Sequence, residues 1–116
     1  MKQKKVIKMV VLGVACLEQR AAIEGGLKGH NVQFAESLQY AIGASKGADV
    51  VALHTDHEDN LTDFFDYGFK GKVVPLFMKK DKQGMNIRGK FTEAVPVRRL
   101  ADVILEMFGQ TQSSAA

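Results

Sequence analysis

Cysteine is almost missing from this chain. Cys16 is the only one, which excludes an internal disulfide and leans toward a reducing compartment. There is no tryptophan, and proline occurs only at Pro75 and Pro96, so proline-rich linkers are excluded. No run reaches the ~20 apolar residues of a membrane-spanning helix. Residues 1–5 followed by Val6 to Cys16 have the outline of a secretory signal. However, Lys8 interrupts the apolar run, and Gly13 stands three before Cys16, where a lipoprotein signal carries an apolar residue. A soluble cytoplasmic protein that makes no membrane contact is expected.

What is present is an ordinary globular balance, 46% apolar and 25% charged over 116 residues. That suits one domain able to bury its own core without a metal or disulfide. Net charge is only +3, but its distribution is lopsided. Asp49, Asp56, Glu58, Asp59, Asp63 and Asp66 form a stretch free of Lys and Arg. The segment 70–99 is rich in Lys and Arg and holds only Asp81 and Glu93 as acids. One acidic and one basic region follow.

Short β-branched runs alternate with amphipathic segments. Val6–Leu12, Asn31–Ala35, Ala48–His54 and Val73–Met78 read as strands, with Lys90–Ala94 a weaker fifth. Between them, Cys16–Lys28 reads as a helix burying Leu17, Ala21, Ile23 and Leu27, with Gly29 ending it. Ser37–Lys46 follows as a second helix, and Leu61–Tyr67 as a third, capped by Thr55 or Asp56. Segment 79–88 reads as a basic loop with at most one helical turn. Pro96 opens a last helix to Phe108, which has the clearest apolar stripe in the chain. The domain is therefore residues 1–109, with 110–116 expected as a disordered tail or linker stump.

Five strands alternating with about five helices imply a three-layer, doubly wound α/β sandwich. Its parallel sheet is expected in the flavodoxin-like order 2-1-3-4-5. In that topology a ligand sits beyond the carboxyl ends of strands one and three. Here those positions are Gly13–Cys16 and His54–His57.

Ala48-Asp49-Val50-Val51-Ala52-Leu53, and Val95-Pro96 followed by Arg99-Leu100-Ala101-Asp102-Val103-Ile104, carry a resemblance. In element order and spacing the chain is similar, from Lys5 to Phe108, to CheY-like receiver domains of two-component response regulators. The resemblance implies an acidic pair after strand one, an aspartate ending strand three, Ser or Thr ending strand four and a lysine before the strand-five proline. This chain has Gly13, Val14 and Ala15, then His54, then no Ser or Thr between Val73 and Lys80, then Val95. Every departure removes part of one phosphoryl-transfer apparatus, which rests on a cation and placed donors. The implied relative is a pseudo-receiver with no cofactor and no catalytic residue.

Other chemistry is written in the same residues. Asp56 could take a phosphoryl group in a slipped register, but capping the following helix suits it better. The run His54-Thr55-Asp56-His57-Glu58-Asp59 contains metal-ligand types, yet neighbouring loop residues rarely converge on one ion, and His30 lies on the opposite edge. Cys16 stands at the end of strand one, where a sugar-transport phosphocarrier of similar fold keeps its nucleophile. Glu18 is an unsuitable neighbour for a thiolate, and Arg20 is too near in sequence for a phosphatase loop.

The basic loop 79–90 admits a nucleotide messenger or an acidic protein; the absence of a groove-sized helix disfavours nucleic acid. The preferred reading is a phosphorylation-independent regulatory domain, not an enzyme. It would bind another signalling protein, or a second copy, through Lys79, Lys80, Lys82, Arg88, Lys90, Arg98 and Arg99. The alternatives are a phosphocarrier using Cys16 or the His54–His57 loop, or a cyclic-dinucleotide sensor on the basic loop.

Overall fold

The central strands are buried on both sides, so their apolar residues run continuously rather than alternating with polar ones. Val50–His54 is buried throughout, and Lys8–Leu12 is buried at every position after Lys8. In the computed structural model, which describes residues 6–77 and 83–109, these are β3 and β1 of a five-stranded, all-parallel sheet. The other strands are β2 (Asn31–Ala35), β4 (Lys72–Phe77) and β7 (Val95–Pro96), in the order β2-β1-β3-β4-β7. A separate antiparallel hairpin joins β5 (Gly84–Ile87) to β6 (Lys90–Glu93).

Strand alternation sorts the core into two layers. Met9, Val11, Val50, Ala52, Val74 and Leu76 face one side, where Ile23 of α1 (Leu17–Gly26) and Leu100, Ile104 and Leu105 of α4 (Leu100–Met107) cover them. Val10, Leu12, Val51 and Leu53 face the other, under Ala41 of α2 (Leu38–Ser45), Leu61 and Phe64 of α3 (Leu61–Asp66) and Met85 of the hairpin. The chain is thus an α/β sandwich. Asp49 ties its amino edge together. Its carboxylate accepts the Lys8 N–H at 2.9 Å, its own N–H donates to the Lys8 carbonyl at 2.8 Å, and its carbonyl accepts the Lys72 N–H at 3.0 Å.

Several sequence expectations are corrected. Lys90–Ala94 is not the fifth parallel strand; its first four residues pair antiparallel with β5, and the fifth strand is the two-residue β7. The turn between β5 and β6 is Arg88-Gly89, with φ of +55° and +82°. Positive φ at both central residues is what a two-residue hairpin needs to match the twist of its strands. Arginine hides that signal, because residues with a Cβ seldom adopt it.

Pro96 closes β7 rather than opening a helix; a 3-10 turn over Val97–Arg99 intervenes before α4. Leu17 and Ala21 lie on the exposed side of α1, Leu17 at 77% exposure, and the buried positions nearby are Ile23 and Leu27. Four α-helices occur among the described residues. The tail 110–116 and the basic residues Lys79, Lys80 and Lys82 lie outside the described residues.

Candidate functional site

Beyond the carboxyl ends of β1, β2 and β3 lies an open cleft of about 280 Å³. Gly13, Val14 and Ala15 line it, with Arg20, Glu36, Ser37 and His57. Gly13 leaves β1 with φ +102°, a region that disfavours any residue with a Cβ. A Cβ at Gly13 would stand 2.7 Å from the His54 Cβ, so the end of β1 is packed directly on the end of β3. The positions expected to hold an acidic pair and a phosphoacceptor are therefore adjacent.

The polar groups at this edge are spent on the fold. His54 is 9% exposed, and its Nδ1 accepts the Asp56 N–H at 3.1 Å, capping the 3-10 turn Thr55–Asn60. Neither Thr55 nor Asp56 caps α3, whose N-cap position is Asn60 without a side-chain bond; His54 caps the 3-10 turn that precedes it. Asp56 Oδ2 is 3.2 Å from the same nitrogen. Thr55 is fully buried, and its hydroxyl has no hydrogen-bond partner among the described residues.

Arg20 spans the cleft floor. Its Nε donates to the Val14 carbonyl at 2.7 Å, its Nη1 reaches Glu36 at 3.0 Å, and its guanidinium lies 5.2 Å from the Phe34 ring centre. Ser37 Oγ accepts the Tyr40 N–H at 3.1 Å, starting α2. Cys16 is exposed at the N-cap position of α1. The nearest cation in sequence, Arg20, is directed to Val14 and Glu36 instead. His30 Nδ1 accepts the Ile7 N–H at 2.9 Å at the other end of β1, so its role is structural. No group of three or more His, Cys, Asp or Glu among the described residues is arranged to hold a metal ion.

The basic residues do not form one patch. Arg88 and Lys90 flank the hairpin tip. There Arg88 stacks 4.2 Å from the Phe65 ring centre and shares a groove with Lys72, the first residue of β4. Arg98 and Arg99 follow β7, which pairs with Leu76 and Phe77 at the other end of β4. The length of β4, ~16 Å for its rise, separates the two pairs. Lys72, absent from the sequence-based set, joins the hairpin cations because β4 begins beside the hairpin tip. Nothing in its local sequence pattern signals that.

Compared with known proteins, the chain matches no family model, no curated protein and no solved structure.

Proposed function

We propose that this chain is a regulatory interaction domain of flavodoxin-like, pseudo-receiver type that binds another protein and carries out no phosphoryl transfer. The observation that carries this reading is the packing of Gly13 on His54. Phosphoryl transfer in a receiver needs carboxylates gripping a divalent cation beside an acceptor carboxylate. Here the corresponding positions are a backbone turn and a nearly buried histidine, and a Cβ at Gly13 would stand 2.7 Å from the His54 Cβ. The strand order, with β1 and β3 central, supports the same reading. The accessible charge lies elsewhere, on Arg88, Lys90, Arg98 and Arg99, all exposed, and on Lys79, Lys80 and Lys82 in the sequence. Such a surface suits an acidic protein partner in the cytoplasm.

Intact-mass analysis after incubation with a small-molecule phosphodonor and Mg²⁺ tests the first half. An unchanged mass is expected, whereas a species ~80 Da heavier would transfer the reading to a phosphocarrier. Affinity capture with the wild-type chain and with charge-reversed Arg88, Lys90, Arg98 and Arg99 tests the second. Loss of capture with an unchanged melting transition is expected.

A further inference from the structure

The fifth strand is too short to cover the fourth. β7 pairs only at Leu76 and Phe77, so the part of β4 from Lys72 to Val74 has β3 on one side and, among the described residues, no strand on the other. Backbone alternation shows what that side presents. Lys72 donates its N–H to Asp49 on the β3 side. Residues 72, 74 and 76 therefore address β3, and residues 73, 75 and 77 address the other side, where β7 engages Pro75 and Phe77 and leaves Val73. Pro75 has no N–H to lose there, which is why a proline is tolerated in this strand. Val73 points both its N–H and its carbonyl outward.

This edge floors a groove of about 330 Å³. Phe65, Val73, Ile87 and Met107 give it apolar walls, and Lys72, Arg88 and Lys90 give it three cations, with no carboxylate in the lining. A lysine and a proline on a free edge are common guards against unwanted strand pairing. A guard of one sign also selects. It repels a second basic edge and admits an acidic one.

Resting on the interaction-domain reading above, we infer that the groove binds an extended acidic peptide segment of a partner protein by strand addition to β4. Val73 would supply the main-chain hydrogen bonds, and Lys72, Arg88 and Lys90 would select carboxylates. In strand addition generally, main-chain bonds provide affinity and the flanking side chains provide specificity. The stretch from Gly71 to Val74 is ~10 Å long, enough for a short strand.

The test uses the full chain and a short acetylated peptide alternating Glu and Val, followed by fluorescence anisotropy and amide hydrogen exchange. Binding is expected to slow exchange at Val73 N–H. Lys72→Glu and Arg88→Glu should each weaken binding about tenfold or more, and a Lys-Val peptide should not bind. Lys72→Glu serves as the second variant, because Arg88→Glu also removes the contact with Phe65. N-methylation of the peptide backbone should abolish binding.

Binding without protection of Val73 would overturn strand addition. So would a methylated peptide that binds equally well. Concentration-dependent protection of Val73 in the protein alone would assign the edge to a second copy and overturn the peptide. Binding lost in Arg98→Glu/Arg99→Glu but kept in Lys72→Glu would sink the groove while leaving the interaction-domain reading intact. Binding indifferent to every charge reversal would sink both.

Discussion

Gly13 and His54, at the ends of adjacent parallel strands, touch so closely that any residue with a Cβ is strained at the first position. Two independent terms oppose any substitution there. The backbone has φ +102°, and a Cβ would meet the His54 Cβ at 2.7 Å. Left-handed backbone costs a residue with a Cβ ~1–2 kcal/mol, and overpacking adds ~1–3 kcal/mol. Gly13→Ala is thus expected to destabilise by ~2–5 kcal/mol in urea titration. A loss under ~1 kcal/mol would mean that the strand ends part easily.

The same contact predicts that chemistry is not restored by one substitution. His54→Asp supplies an acceptor carboxylate but no cation site, since Gly13, Val14 and Ala15 offer no oxygen ligand from a side chain. Its mass should stay unchanged after treatment with phosphodonor and Mg²⁺. A phosphorylated product would show that the cation cradle exists after all.

Helices α1 and α4 meet at Gly26, where a Cβ would fall 2.6 Å from the Ala101 Cβ. Within a helix, Gly→Ala gains up to ~1 kcal/mol in propensity, while the overlap costs ~1–3 kcal/mol. Overlap wins, and Gly26→Ala should lose about 1 kcal/mol. Combining it with Ala101→Gly should recover the overlap term, giving a favourable coupling energy in a double-mutant cycle. Strictly additive effects would place the helices farther apart than observed.

Thr55 is fully buried with an unpartnered hydroxyl among the described residues. Burying such a group costs ~1–3 kcal/mol. Thr55→Val keeps the shape and removes the hydroxyl, so the melting temperature should rise by several degrees, on the order of 1 kcal/mol. A fall would reveal a hydrogen bond made by that hydroxyl.

Arg20 holds the loop after β1 against the end of β2 through three contacts. Its partner Glu36 is 79% exposed in its side chain, so the ion pair is worth little. The bond to the Val14 carbonyl and the stacking on Phe34 should dominate. Glu36→Ala should therefore change stability by under ~0.5 kcal/mol, and Arg20→Ala should lower it by ~1–2 kcal/mol. Lysine at position 20 should rescue little, since it lacks the planar donor fork. Equal effects at 20 and 36 would put the ion pair in charge instead.

Strands β1 and β3 were legible because continuous β-branched runs bounded by Gly and polar residues have few other solutions. Helix α4 was legible for a similar reason, since Leu100, Ile104 and Leu105 recur at helical spacing. The hairpin was not legible. Lys90–Glu93 alternates in a way that suits a parallel or an antiparallel partner equally, and Arg88 gives no local sign of a left-handed turn. In the candidate site, the adjacency of Gly13–Ala15 and His54 followed from strand topology. The ring of His54 capping its own turn did not, because that depends on a rotamer.

Local chemistry along the chain was enough to establish a layered α/β domain. Residue identity and periodicity decide such things before any long-range contact forms. Which cations lie together was settled only by the folded chain. Lys72 lines one groove with Arg88 and Lys90 because the two-residue last strand pairs only at Leu76 and Phe77 and the hairpin folds back beside the start of β4. Arg98 and Arg99, close to Lys90 in sequence, are carried to the far end of the same strand.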